Sequence, residues 1–101
     1  MYYFYVLRSL KTEKLYFGFT SDLKKRLIEH NSGTEQSTKH GIPWKIVYYE
    51  AFLVKSDAIK RERQIKSFKS AYGFLKKRIK DSLIENIEPK KRGESKLGDE
   101  A

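Results

Sequence analysis

Residues 14–33 read KLYFGFTSDLKKRLIEHNSG, and this stretch decides the fold. Leu15–Phe19 is rich in aromatic residues and predicts a β-strand. The T-S-D run that follows marks a helix start, because a side-chain oxygen of Ser21 or Asp22 can accept a hydrogen bond from the first helical turn. We expect the helix over roughly residues 22–31, and the N-S-G at its end is typical of a helix C-terminus. The stretch therefore predicts a strand, a tight turn and a helix.

Three residues of this stretch suit phosphate chemistry. Gly18 stands where the apolar run Leu15-Tyr16-Phe17 stops, and it is predicted to be the glycine of the strand-to-helix turn, where it lets backbone and phosphate approach closely. Arg26 can bind a phosphate through two parallel hydrogen bonds and neutralise charge that develops on it. His30, four residues later on the same helix, can position a phosphate or exchange a proton near neutral pH. The Arg-xxx-His pair alone is a weak signal, and ordinary surface polarity is the alternative.

The rest of the chain predicts two further strands and two further helices. The aromatic run at residues 2–9 and the strand after it are joined by the polar K-T-E-K, which indicates an antiparallel hairpin. Residues 32–44 are expected to form an exposed loop. We expect the third strand over Trp44–Phe52. The next helix is expected to be capped by Ser56 or Asp57 and to run to about Ser70. Gly73 is expected to interrupt the helical region, and a last helix is expected over Phe74–Ile84.

The composition of the 101-residue chain fits one domain with a modest core. Its 22 Lys and Arg against 13 Asp and Glu give a net charge of +9, which favours a polyanionic partner such as nucleic acid or an anionic membrane surface. A solvated basic surface without a partner is the alternative. The absence of cysteine excludes disulfides and thiolate metal sites. Neither a signal peptide nor an apolar run of membrane-spanning length is recognisable, so we expect a cytoplasmic protein. Of the two polyanionic partners we expect nucleic acid and not a membrane.

Positive charge is concentrated in residues 55–80, where ten basic residues stand against Asp57 and Glu62. A helix with this charge can contact several phosphates and release their counterions. Residues 86–101 carry balanced charge and few apolar side chains, so we expect a folded domain over 1–85 followed by a disordered tail. The candidate nucleic-acid-binding residues are Lys60, Arg61, Arg63, Lys66 and Lys69.

Glu62 is the candidate metal ligand. On a helix its side chain projects between Ile59 and Ile65, within the apolar arc and not on the solvent face. It can form an ion pair with a neighbouring Lys or Arg. Alternatively, it can stand at the edge of a basic groove and hold a hard divalent cation whose other ligands are water and substrate phosphate oxygens. The position alone leaves both interpretations open.

The motifs, taken in order, resemble the GIY-YIG nuclease family, in particular its small stand-alone bacterial members. The two halves of the family signature are similar to Tyr3-Phe4-Tyr5 and Tyr16-Phe17-Gly18. The family's helix with its Arg and His is similar to T-S-D-L-K-K-R-L-I-E-H-N-S-G. Further similarity lies in Ser37-Thr38-Lys39, Pro43-Trp44, Val47-Tyr48-Tyr49-Glu50 and Arg61-Glu62.

The resemblance implies an α+β fold, with a three-stranded antiparallel sheet flanked by helices in the order β-β-α-β-α-α. It also implies a nuclease that hydrolyses DNA phosphodiester bonds with a single Mg²⁺ or Mn²⁺, held by Glu62. The catalytic residues it implies are Tyr5, Tyr16, Arg26 and His30. A tyrosine, with Tyr5 preferred to Tyr16, would orient or deprotonate the attacking water. Because an unperturbed tyrosine has a pKa of ~10, it would need nearby cations to do so.

The sequence differs from the family pattern in three respects. Tyr3 and Phe4 replace the Gly and Ile of the signature's first half, where a strand can still form. Asn86 is the only late candidate for the supporting asparagine of many members, and its surroundings do not match. No appended DNA-targeting domain is recognisable, so the source of any specificity is not evident. The alternatives to a nuclease are therefore a non-catalytic nucleic-acid-binding module and a nuclease subunit that needs a protein partner. Whether the DNA is branched or otherwise structured, and the oligomeric state, stay open.

Overall fold

The computed structural model describes residues 1–87, so residues 88–101, most of the predicted tail, lie outside the described residues. Three strands form one antiparallel sheet in the order β2-β1-β3, with helices around it. This confirms the expected α+β fold. The elements are β1 (Tyr2–Ser9), β2 (Leu15–Thr20), α1 (Leu23–Asn31), β3 (Trp44–Phe52), α2 (Lys55–Ser67), α3 (Lys69–Arg78) and α4 (Lys80–Ile87).

β1 is the central strand, and both of its faces are covered. Phe4 and Val6 lie on one face while Tyr5 and Leu7 lie on the other, and none of the four is more than 2% exposed. A strand buried on both faces has no solvent side on which polar residues are needed. This explains why the YYFYVLRS run is apolar almost throughout and shows no alternation.

The two faces of the sheet carry separate cores. On one face the buried residues that pack against the helices after β3 are Phe4, Val6, Ile65, Leu75 and Ile79. On the other face the buried residues are Tyr5, Leu7 and Trp44, with Leu23 and Leu27 of α1 packed against them. Tyr5 therefore belongs to the core that lies under α1. No helix within residues 1–87 is long and apolar enough to cross a membrane.

α1 begins and ends as the sequence predicts. The Asp22 carboxylate accepts a hydrogen bond of 3.0 Å from the backbone N–H of Lys25, which satisfies one of the free donors of the first turn. The helix ends at Asn31, and Gly33 follows with a φ of +86°, a conformation that glycine adopts without strain. The antiparallel hairpin of β1 and β2 is confirmed as well.

Gly18 lies inside β2 and pairs with Tyr5 of β1, so the prediction that it forms a turn is wrong. The strand continues through it to Thr20. Glycine is usually disfavoured in strand interiors but is retained where another group approaches closely. The Tyr5 side chain approaches in this way: a Cβ added to Gly18 would lie 2.5 Å from the Tyr5 hydroxyl oxygen.

α2 differs from its prediction at both ends. It begins at Lys55, so that Ser56 and Asp57 lie in its first turn and neither caps it. It ends at Ser67, because Phe68 has extended backbone angles, with φ −119° and ψ 116°. The Phe68 N–H still donates to the Gln64 carbonyl at 3.0 Å, which closes the helix.

Gly73 does not interrupt the helical region, contrary to prediction; it lies within α3. A glycine in a helix interior costs only about 1 kcal/mol relative to alanine. Burial of Leu75 on the same helix and of Ile79 directly after it outweighs that cost, since each contributes about 1.5–3 kcal/mol. The chain divides instead at Phe68 and Ile79, which separates Lys69 from α2.

Candidate active site

Hydrogen bonds connect Tyr5, His30 and Thr38 in the core under α1. Tyr5 Oη lies 2.9 Å from His30 Nε2, and His30 Nδ1 lies 2.9 Å from Thr38 Oγ1. The three residues come from β1, α1 and the loop before β3. None is more than 2% exposed. Buried polar groups are costly unless paired, so the three side chains stabilise one another in this arrangement.

Arg26 sets the direction of these hydrogen bonds. Its guanidinium, which can only donate, lies near enough to the Tyr5 hydroxyl to influence its pKa, while its 2.9 Å hydrogen bonds go to Glu29 and Glu35. Because a nearby cation favours having the lone pairs of the hydroxyl oxygen face it, we assign the Tyr5 proton to the hydrogen bond with His30 Nε2. His30 then carries its ring proton on Nδ1 and donates it to Thr38 Oγ1. The tautomer is assigned from this network.

Burial keeps Tyr5 and His30 neutral at pH 7. It raises the pKa of Tyr5 to about 12, although the nearby guanidinium of Arg26 acts in the opposite direction. Burial also lowers the pKa of His30 below its usual 6.5, and the positive charge of Arg26 lowers it further. In this resting state Tyr5 is not a phenolate base, but the neutral imidazole beside it can accept its proton.

Arg26 is held by two carboxylates. Its Nη1 lies 2.9 Å from Glu29 Oε1, one helical turn away, and 2.9 Å from Glu35 Oε2 in the loop after α1. The hydrogen bond to Glu35 raises the pKa of Arg26 further above its ordinary value, and Arg26 lowers the pKa of Glu35. The guanidinium therefore stays charged and fixed in orientation, with 26% of the side chain exposed.

Tyr16 and Glu62 approach the site from β2 and α2. The Tyr16 ring lies edge-on to His30, with ring centroids 5.0 Å apart. Lys66 Nζ lies 5.9 Å from the centre of the Tyr16 ring and 2.7 Å from Glu62 Oε2. The negative charge of Glu62 also contributes to the raised pKa of Tyr5. The five catalytic and metal-binding candidates predicted from the sequence therefore converge from β1, β2, α1 and α2.

Glu62 could hold a divalent cation that takes most of its ligands from water and substrate. Nowhere in residues 1–87 do three His, Cys, Asp or Glu side chains cluster so that they could hold a metal ion. The Glu62 side chain is 17% exposed and paired with Lys66, as the ion-pair interpretation expected. A cation there would compete with Lys66 and take its other ligands from water and phosphate oxygens, as Mg²⁺ commonly does. The donor set therefore fits Mg²⁺ or Mn²⁺ bound together with substrate.

The five candidate nucleic-acid-binding residues do not share one surface. Arg61 donates two hydrogen bonds of 2.9 and 3.0 Å to the carboxylate of Glu50 on β3. Lys66 pairs with the site carboxylate on its own helix. Both are thereby engaged within the protein. The other three are exposed and are Lys60 and Arg63 on α2 and Lys69 on α3.

The sequence did not single out Thr38 or Glu35 as site residues. Thr38 stands in one of the motifs that carry the family resemblance, but nothing in the motif indicated contact with His30. Glu35 stands in a polar loop, and its distance of nine residues from Arg26 has no helical periodicity to relate the two. Both contacts depend on how the loop between α1 and β3 folds back over α1.

The fold and the site together define a class of nuclease-type domains. In this class a small antiparallel sheet brings together two tyrosines, an arginine, a histidine and a glutamate. The sequence model of the GIY-YIG catalytic domain matches residues 1–78. The chain belongs to the GIY-YIG family. Domains of this family are generally nucleases, act on DNA and use divalent metal ions.

The chain is also similar to proteins designated UPF0213. One from Staphylococcus saprophyticus is 43% identical over 68 residues, which cover 66% of this chain and 82% of that protein. One from the archaeon Haloquadratum walsbyi is 35% identical over 68 residues, covering 66% and 76%. One from Streptococcus pyogenes serotype M3 is 38% identical over 76 residues, covering 69% and 82%. No solved structure gives a significant match.

Proposed function

We propose that the protein is a nuclease that hydrolyses DNA phosphodiester bonds with one Mg²⁺ or Mn²⁺. The observation that carries the proposal is the buried hydrogen-bonded series Tyr5–His30–Thr38 with Arg26 against the Tyr5 hydroxyl. Binding of backbone phosphates needs exposed positive charge and gains nothing from buried neutral side chains that can exchange protons. Hydrolysis requires such a proton acceptor next to a fixed positive charge.

Tyr5 relays a proton as water attacks phosphorus. A water proton passes to Tyr5 Oη while the Tyr5 proton passes to His30 Nε2, so no free phenolate is formed. The water oxygen bonds to phosphorus, the bond from phosphorus to the leaving oxygen breaks, and the leaving oxygen takes a proton from solvent. Thr38 keeps the other ring proton on Nδ1 and so keeps Nε2 available. The proton on His30 afterwards returns to solvent through Tyr5.

Arg26 and Tyr16 act on the phosphate. Arg26 donates hydrogen bonds to non-bridging oxygens and neutralises the charge that develops on them in the transition state. Its two carboxylate partners hold it in place before substrate arrives, so that little reorganisation is needed. Tyr16, half-buried beside His30, orients the phosphate and the attacking water.

Glu62 would hold the metal ion. A bound Mg²⁺ or Mn²⁺ supplies positive charge that stabilises the leaving oxygen. Lys66, which is 2.7 Å from the Glu62 carboxylate, would have to release it for a cation to be held there, and its ammonium group would then be free to approach a phosphate. This competition would lower the metal affinity of the free protein relative to a protein without the Lys66 ammonium.

A second candidate function is nucleic-acid binding without catalysis. The observation in its favour is that Glu62 and Arg26 are already engaged in ion pairs within the protein. A site that never opened these pairs would bind backbone phosphates through its other basic residues only.

Cleavage assays separate the two functions. Plasmid, branched, flapped and single-stranded DNAs are incubated with the protein and Mg²⁺, Mn²⁺ or EDTA. We expect metal-dependent cutting that is lost in Glu62→Gln, while DNA affinity stays within about twofold of wild type. Asp57→Asn, which changes the other carboxylate of α2, is the matched control and should cut normally. Binding without cutting on every substrate would favour the non-catalytic module.

Lys66→Met tests the competition for Glu62. Without the ammonium 2.7 Å from the carboxylate, the Mn²⁺ concentration needed for half-maximal cleavage should fall severalfold. An unchanged metal requirement would mean that Glu62 does not hold the ion.

A further inference from the structure

We infer that Phe68 and Phe74, with the basic residues around them, form a surface that binds an unpaired DNA strand by stacking its bases. We name it the Phe68–Phe74 surface. The inference rests on the proposed function, since it specifies which part of a nucleic-acid substrate the protein recognises outside the active site.

The two phenyl rings are placed in solvent by the break between α2 and α3. Phe68 is the single extended residue between these helices and is 59% exposed, and Phe74 on α3 is 70% exposed. Neither ring is part of either core. Both rings line one groove, and exposed apolar patches of this kind often mark binding sites.

Two grooves meet at Phe68. One, of about 320 Å³, lies between α2 and α3, and the other, of about 370 Å³, lies along the outer side of α2. Gln64 and Phe68 line both, and Phe74 lines the first. These volumes fall at the lower end of the range for small-ligand sites, which suits a single base or nucleotide in each groove.

The charge around the grooves is positive. Arg78 borders the first groove, Lys60 and Arg63 border the second, and none of the residues that line either groove is acidic. Arg61 also lines the first groove, but its charge is balanced by Glu50. Aromatic rings surrounded by arginine and lysine are the combination that binds single strands, because the rings stack on bases and the cations contact phosphates.

The same charge argues against two other occupants. A second copy of the chain would bring two sets of these cations together, which repel. Residues 88–101 of the chain have four basic and four acidic residues, so this segment offers no net negative charge to the surface. An unpaired nucleic-acid strand offers both the flat apolar bases and the negative phosphates.

The surface lies close to the candidate active site but is separate from it. Phe68 is six residues after Glu62, about 9 Å further along the helical direction. Lys60 and Arg63 point about 100° or more around α2 from Glu62. A strand bound at the active site would reach Phe68 within a few nucleotides. The structure therefore favours substrates in which an unpaired segment lies next to the cleaved bond.

The test is DNA binding by the full chain in EDTA, so that no cleavage is needed. The probes are a fluorescent single strand of about 16 nucleotides, the same strand in a duplex, and a single strand that contains 2-aminopurine, whose fluorescence falls on stacking. We expect Phe68→Ala and Phe74→Ala each to weaken single-strand binding about fivefold or more and to reduce the quenching. Duplex affinity should stay within about twofold. Ile28→Ala, at a residue on α1 that is 61% exposed, should change nothing.

Each contrary result overturns the inference. Unchanged single-strand affinity in both variants would exclude stacking on these rings, and so would an equal loss for single strand and duplex. A wild-type dimer that the two substitutions dissociate, with DNA affinity unchanged, would assign the surface to a second copy. Circular dichroism melting curves are recorded to check that the variants are folded. If the proposed nuclease function were wrong but this inference right, single-strand binding would still depend on Phe68 and Phe74, and no Glu62-dependent cleavage would be seen.

Discussion

Gly18→Ala should disrupt the buried hydrogen bond between Tyr5 and His30 by displacing the Tyr5 side chain. The added Cβ would lie 2.5 Å from Tyr5 Oη and 2.7 Å from Cζ, whereas ordinary contacts begin near 3.4 Å. The hydroxyl must therefore shift by about 0.9 Å, or the strands must separate by a similar distance. Its hydrogen bond to His30 is 2.9 Å long and weakens steeply with such a shift. Because the ring is rigid and 2% exposed, it has little room to move.

We expect Gly18→Ala to lose about 1–3 kcal/mol of unfolding free energy and to cut DNA about 10²-fold more slowly, with DNA affinity nearly unchanged. Urea denaturation measures the first quantity and single-turnover cleavage the second. A double-mutant cycle with Tyr5→Phe identifies the contact. Removing the hydroxyl relieves the shortest contact but leaves the ring, so the double variant should be less destabilised than the sum of the single variants.

Gly73→Ala is the matched control. A Cβ at Gly73 meets no atom within 4 Å, and the residue lies in α3, so alanine should stabilise the protein by about 1 kcal/mol and leave cleavage unchanged. If Gly18→Ala were as stable and as active as wild type, the close packing of Tyr5 over Gly18 would have no functional consequence. Additive effects in the double-mutant cycle would likewise contradict the reasoning.

Two further predictions concern pH and charge. The pKa of His30 is lowered in the folded protein, so the unfolded chain binds more protons than the folded protein below pH 6.5. The unfolding free energy should therefore fall as the pH decreases from about 6.5 to the pKa of His30 in the folded protein. The slope should be at most about 1.4 kcal/mol per pH unit. His30→Gln should remove this slope in urea titrations at several pH values, and a slope that persisted would assign it to other groups. Arg63 is exposed, so Arg63→Met should weaken DNA binding and reduce its salt dependence by about one phosphate contact. The guanidinium of Arg61 is bound by the Glu50 carboxylate on β3, so Arg61→Met should mainly destabilise the fold. Equal effects of these two substitutions on DNA affinity would contradict the placement of Arg61.

Local sequence signals were most reliable where one element decides the outcome. The cap at Asp22, the end of α1 and the extents of β1 and β3 follow from side chains within a few residues of each boundary. The same reasoning failed at Gly18 and Gly73. Glycine has a local preference against strand and helix interiors of only about 1 kcal/mol, and packing against another element exceeds it.

By itself, the sequence determined the three-stranded sheet with its helices and the identity of the residues that meet in the site, since these depend on local patterns and on an ordered set of motifs. The tertiary structure alone decided what those residues contact. Apart from the i, i+4 pair of Glu62 and Lys66 on α2, these contacts are not local. Thr38 reaches His30 and Glu35 reaches Arg26 because the loop after α1 folds back over that helix. It also decided that Phe68 faces solvent, since α2 ends one residue earlier and the core is already filled by Ile65 and Leu75. Such contacts join residues with no periodic relation in the chain, so only the packed fold specifies them.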